Sequence, residues 1–78
     1  MPTVLRSGGF RFIIRMPPRE HQPPHIHVLT AGAEAVIELD PVFVRSAFRM
    51  STGDVVRAVR LVEAHRDALM IAWRRYHG

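Results

Sequence analysis

The sequence predicts an α+β fold in which a small antiparallel sheet of about four strands packs on one long C-terminal helix. Residues 3–39 contain short segments of alternating apolar and polar residues, separated by glycines, as in half-buried strands. Residues 52–77 instead repeat apolar residues in steps of three and four, as in an amphipathic helix. Four of the six prolines fall between residues 16 and 25, which indicates a non-helical connection. A chain of 78 residues predicts a single domain, residues 1–78.

The first predicted hairpin joins residues 3–6 to residues 10–16 through a Gly-Gly turn, whose two residues tolerate the positive φ angles of a tight hairpin. In the register that this turn sets, Arg6 lies opposite Arg11. Like charges in direct opposition destabilise a sheet, so this pair requires a counter-charge from the chain or from a ligand. The other predicted pairs are Ser7 with Phe10, Leu5 with Phe12 and Val4 with Ile13.

The second predicted hairpin joins residues 25–30 to residues 34–39 around an Ala-Gly turn. Its register is set by hydrophobicity, because a slip of one residue would mix glutamates into the apolar face. In this register His25 lies opposite Glu38, and the opposite face is wholly apolar. The residues on that apolar face are Ile26, Val28, Ala35, Ile37 and Leu39.

The segment 40–50 is compatible with either a fifth short strand or a short helix after a turn at Asp40 and Pro41.

The helix that follows is the clearest element. Ser51 is a good N-cap, and Asp54, three residues on, completes a capping box. An apolar stripe follows, interrupted only by Arg66, and has to be buried against the sheet. The stripe consists of Val55, Val59, Val62, Leu69, Trp73 and Tyr76.

Composition narrows the choice of partners. The chain has no cysteine, so disulfides and cysteine-based zinc sites are excluded. A domain this small therefore gains stability from a partner chain, a histidine metal site or close packing.

No apolar run is long enough to span a membrane, and no signal peptide is evident, so we expect a cytoplasmic protein. All eleven basic residues are arginine and the net charge is +4, which favours RNA or an acidic protein as partner. A second copy of the chain is a further candidate partner.

The predicted sheet has one face that the helix leaves uncovered, and this face gathers most of the polar residues of the strands. For an RNA-cleaving site that needs no metal or other cofactor, His25 and His27 would act as acid and base, with Glu38 orienting His25. Cations would hold the phosphate and stabilise the charged transition state. The residues expected on this face are Arg6, Arg11, Arg15, His25, His27, Glu34 and Glu38.

Two other interpretations of the histidines remain open. His21, His25 and His27 could hold a metal ion, with a carboxylate as a further ligand, although the neighbouring arginines would repel a cation. Alternatively, His25 and His27 are polar residues on the wet side of a half-exposed sheet, and the face serves only to dock a partner.

The segments TVLRSGGFRF, EHQPPHIHV, GAEAVIEL and LVEAHRDALMIAW together resemble a small bacterial family, domain of unknown function 4160. The likeness covers nearly the whole chain, and EHQPPHIHV is its most specific part. Many relatives have a glycine before the helix cap, where this chain has Arg49 and Met50. The resemblance implies one member of a toxin–antitoxin-type pair, whose cognate small partner protein is encoded by a neighbouring gene. It identifies no catalytic residue.

Overall fold

The computed structural model describes residues 2–15 and 23–77. They form five strands in one antiparallel sheet of order β1-β2-β3-β4-β5, followed by two helices. The α+β prediction is therefore confirmed, with one strand and one helix more than expected. The elements are β1 (Thr3–Ser7), β2 (Phe10–Ile13), β3 (His25–Thr30), β4 (Ala33–Leu39), β5 (Val42–Phe48), α1 (Thr52–Ala64) and α2 (Arg66–His77).

The first hairpin has the predicted register beside its turn, including Arg6 opposite Arg11, but departs from it at the far end. Ile13 lies opposite Thr3 rather than Val4, because a β-bulge shifts the register between Thr3 and Leu5. The bulge has a packing reason. Val4 and Leu5 are both partly buried against the core, whereas strict alternation would turn one of them away.

The second hairpin has the predicted register along its whole length, from His25 opposite Glu38 to Thr30 opposite Ala33. Gly32 takes a φ of +68° in its turn, a conformation that favours glycine. The alternation of apolar and polar residues was thus sufficient to fix this pairing.

The segment that the sequence left undecided is the edge strand β5. It follows a turn with a cis Asp40-Pro41 bond, and a bulge leaves Arg45 without an opposite residue on β4, since Val36 pairs with Ser46 and Ile37 with Val44. Arg49 ends the strand with a φ of 60°, the left-handed conformation that disfavours side chains with a Cβ atom.

The predicted helix over residues 52–77 is broken at His65, whose φ of −112° and ψ of 15° are not helical. The N-terminus is as predicted, because the Ser51 hydroxyl accepts a hydrogen bond of 3.1 Å from the Asp54 N–H. Arg66, which interrupts the apolar stripe, starts α2 and donates through Nε to the Leu39 carbonyl at 2.9 Å. Its charge is thereby turned to the end of β4 instead of being buried against the sheet.

Residues of both helices join the apolar face of the sheet in one core. Arg57 of α1 also connects the first hairpin to the helix. It donates hydrogen bonds to the Gly8 carbonyl and to Asp54 of α1, and its guanidinium lies 4.8 Å from the centre of the Phe10 ring. The buried core consists of Phe10, Phe12, Ile14, Ile26, Val28, Ala35, Ile37, Leu39, Ala58, Val62, Leu69, Met70 and Trp73.

Candidate functional site

The face of the sheet opposite the core carries the residues that the sequence assigned to it. Residues directly opposite each other on neighbouring strands project to the same face, so the register defines rows across the sheet. The row nearest the Gly8 turn consists of Arg6, Arg11, Leu29, Glu34 and Phe48. The middle row includes Ile13, His27, Val36 and Ser46. The row at the start of β3 includes His25, Glu38 and Phe43.

The two histidines on this face are buried, which corrects the expectation of an uncovered, wet surface. Only 1% of His25 and 6% of His27 is exposed. The ring of Trp73, from α2, lies 4.9 Å from that of His25 between centroids, and His77 stacks on Trp73 at 3.7 Å. The break at His65 separates α2 from α1, and α2 supplies both of these rings.

His25 bonds to the backbone, and Glu38, the carboxylate predicted to orient it, bonds to another residue. Its Nδ1 donates a hydrogen bond of 2.9 Å to the Pro23 carbonyl. Glu38 lies opposite His25 as predicted, but its Oε2 accepts a hydrogen bond of 3.0 Å from Nε of Arg45. Glu38 therefore forms an ion pair with an arginine on the edge strand.

His27 belongs to a compact charged cluster with Arg15 and Glu34. Its Nδ1 lies 2.8 Å from Oε2 of Glu34 and 2.9 Å from Nη1 of Arg15, and the two Nη atoms of Arg15 lie 3.2 and 3.3 Å from the Glu34 carboxylate. A single imidazole nitrogen cannot donate to Glu34 and accept from Arg15 at the same time. Whether Nδ1 of His27 carries a proton therefore determines whether this nitrogen donates to Glu34 or accepts from Arg15.

Glu34 was expected on this face from the sequence, but it was not predicted to bind His27. The hydrogen bond from Arg15 holds its pKa below the ordinary value of 4.5, against the opposing effect of burial, and the bond from His27 acts in the same direction as Arg15. The predicted register could have suggested this contact, because Glu34 is a diagonal cross-strand neighbour of His27.

Arg6 and Arg11 lie side by side at the other end of the face, and both are exposed. Neither makes an ion pair or a side-chain hydrogen bond within residues 2–15 and 23–77. They line an open groove of about 730 Å³ at the Gly8 turn, together with Leu29 and Thr30. The counter-charge that the sequence required is not supplied by any residue that the structure describes.

The predicted residues therefore share a face but do not converge on one point. Leu29, the neighbour of Arg11, and His25 are four residues apart along β3, a separation of about 13 Å at the rise of a strand. Of the three arginines proposed to bind anions, only Arg15 contacts a histidine in the described part of the chain.

A metal centre finds no support among the described side chains, since no three histidines or carboxylates within residues 2–15 and 23–77 are grouped to hold an ion. His21, the third ligand of that hypothesis, lies outside the described residues. Within the same ranges, neither helix is both long and apolar enough to cross a membrane.

Comparison with known proteins gives one family. A family described as "Domain of unknown function (DUF4160)" matches residues 9–74, which include β2 to β5, α1 and most of α2. No curated protein matches the chain, and no solved structure matches it.

Proposed function

The chain belongs to the DUF4160 family, and on that premise we propose that it binds RNA without cleaving it. In this proposal Arg6 and Arg11 hold phosphate, and the protein acts as one member of a toxin–antitoxin-type pair with a small cognate protein. The buried cluster around His27 supports the sheet from which the two arginines project.

The observation that carries the proposal is the direct opposition of Arg6 and Arg11. Two guanidinium groups facing each other across adjacent strands repel, which costs a few tenths of a kcal/mol or more, about the size of other cross-strand pair effects. An anion placed between them removes this repulsion, and the guanidinium fork fits phosphate oxygens in pairs. Their groove is open and shallow, which suits a polymer passing over the surface better than an enclosed small molecule.

The burial of the histidines argues against catalysis. An acid or base has to come within hydrogen-bond reach of the proton that it transfers. His25 is buried against Trp73 and bonded to the Pro23 carbonyl, and His27 is enclosed by Arg15 and Glu34. These contacts occupy Nδ1 of both rings, and burial keeps the rest of each ring away from the surface.

Binding is tested by fluorescence anisotropy with a labelled RNA of about ten nucleotides. Arg6→Ala combined with Arg11→Ala is expected to weaken binding at least tenfold and to lower the salt slope by roughly 1.4, since each phosphate contact on a single strand contributes about 0.7. The matched control combines Arg60→Ala with Arg74→Ala, two exposed helical arginines whose loss changes net charge equally. Equal weakening by both double variants would mean that net charge alone drives binding.

The ribonuclease hypothesis is separated from binding by incubating the same RNA with the protein in EDTA. We expect the RNA to stay intact at protein concentrations that saturate it. Cleavage that His27→Ala abolishes, while the variant retains its thermal transition, would overturn the non-catalytic assignment.

A protein-interaction role is the second candidate, favoured by the outer edge of β5. This strand pairs only with β4 among the described strands, and its Phe43 is 46% exposed. An extended segment of the cognate protein can add to such an edge through backbone hydrogen bonds. Co-expression with the product of the neighbouring gene is expected to yield a complex that Phe43→Asp weakens and Arg60→Ala does not.

A further inference from the structure

Phe48 ends β5 at the far side of the row that starts with Arg6, and its side chain has no evident role in the core. It is 66% exposed, more than any other large hydrophobic residue of the described chain. It lies directly opposite Glu34, and with Arg11 and Leu29 it lines a second open recess of about 310 Å³. An exposed aromatic ring in a basic row is a contact surface for a flat ligand.

The recess at Phe48 is continuous with the groove of the paired arginines, because Arg11, Leu29 and Thr30 line both. Arg11 lies on β2 and Phe48 on β5, three strands away, so their backbones are about 14 Å apart at the usual strand spacing. A short oligonucleotide can therefore contact both ends of the row at once.

The charges along the row favour one orientation of the bound RNA. At the Phe48 end Glu34 is paired with Arg15, and charges of both signs lie nearby. At the other end Arg6 and Arg11 face each other with no counter-charge among the described residues, so a phosphate is attracted more strongly there, whereas a neutral base is accommodated beside Phe48. The guanidinium of Arg49 lies over the Phe48 ring, 5.6 Å from its centre, and the phenylalanine still remains 66% exposed and open to a base.

We propose that the RNA bound by this chain is single-stranded, with one unpaired base stacked on Phe48 while phosphates further along the same strand lie between Arg6 and Arg11. This inference rests on the proposed function. Bases in a duplex stack on each other and do not present their flat faces, so only an unpaired base makes this contact. A duplex would use the arginines alone.

The test compares Phe48→Ala with Phe43→Ala, an exposed phenylalanine on the same strand but two rows away. The probes are a labelled single-stranded RNA of about ten nucleotides and the duplex that the same strand forms with its complement. Phe48→Ala is expected to weaken single-strand binding roughly 5- to 100-fold, the usual effect of losing one base–aromatic stack. Phe43→Ala is expected to change it less than about twofold, and Phe48→Trp is expected to retain it.

Each outcome decides between the two proposals. If the wild type binds no RNA, both fail. If it binds RNA and loses binding with the Arg6 and Arg11 substitutions but tolerates Phe48→Ala, RNA binding stands and the stacking inference is wrong. Duplex binding as tight as single-strand binding also overturns the inference, and preferential binding of a poly-glutamate peptide to the same arginines would replace RNA with an acidic protein as the ligand.

Discussion

Replacing Glu34 with glutamine is expected to destabilise the protein, because it removes the negative charge between Arg15 and His27. The wild-type carboxylate accepts two hydrogen bonds from Arg15 and lies 2.8 Å from Nδ1 of His27. Hydrogen bonds to charged groups contribute about 1.5–3 kcal/mol, but exposed ion pairs contribute under about 1 kcal/mol. The side chains of Glu34 and Arg15 are 29% and 32% exposed, between these limits. We therefore expect Glu34→Gln to lower the free energy of unfolding by about 1–3 kcal/mol at pH 7.

The assay is thermal denaturation followed by circular dichroism, in which each kcal/mol corresponds to roughly 4–8 °C for a domain of this size. Glu63→Gln is the control, because Glu63 is exposed on α1 and makes no ion pair among the described residues. Its transition temperature is expected to stay within the range of ordinary surface substitutions, about 0.5 kcal/mol.

The pH dependence gives a second, independent readout. The pKa of Glu34 is lowered in the folded state, so its stabilising contribution is fully present above the ordinary value of 4.5 and is lost as the pH falls through the folded pKa. The difference in stability between wild type and Glu34→Gln should therefore shrink as the pH falls below about 4.5. A difference that persists undiminished at pH 3, or a Glu34→Gln protein as stable as the Glu63→Gln control, would refute this account of the cluster.

Three further predictions concern backbone strain and the attachment of the first hairpin, each checked by denaturation. Arg49→Gly should be more stable than Arg49→Ala by about 1 kcal/mol, because both lose the guanidinium but only glycine relieves the left-handed φ of 60°. Gly8→Ala should cost up to about 1 kcal/mol more than Gly9→Ala, since both have positive φ but only a Cβ at residue 8 would lie 2.9 Å from an α1 side chain, whose terminal methyl has to shift. Arg57→Ala should cost about 1–2 kcal/mol through its lost bonds to the hairpin and to α1, and Arg60→Ala under about 0.5 kcal/mol.

Local patterns were sufficient where the determining physics is local. The Ala-Gly turn and the alternation of residues 25–39 predicted every pair of β3 and β4. The Ser51 cap predicted the start of α1. In the first hairpin the same reasoning failed at Val4, because packing of Val4 and Leu5 against the core favoured a bulge. The alternation of residues along a strand carries no information about such packing.

The site was harder to predict because it depends on long-range packing. The sequence identified the face and its residues, but it could not show that Trp73, with His77 stacked on it, lies against His25, since this depends on where α2 lies after the break at His65. It also assigned Glu38 to His25, without the knowledge that β5 would bring Arg45 to that carboxylate. A strand's polar face can therefore be recognised from alternation, whereas its exposure to solvent cannot.

The order of the sheet has a consequence for how the protein is made. Each strand pairs only with strands adjacent to it in the chain, so the contact order of the sheet is low and every hairpin can form as soon as its second strand leaves the ribosome. The helices that cover the apolar face follow the strands in the chain. Until residues 52–77 emerge, the nascent sheet exposes its core side, and this is the interval in which a chaperone or a partner protein would protect it from aggregation.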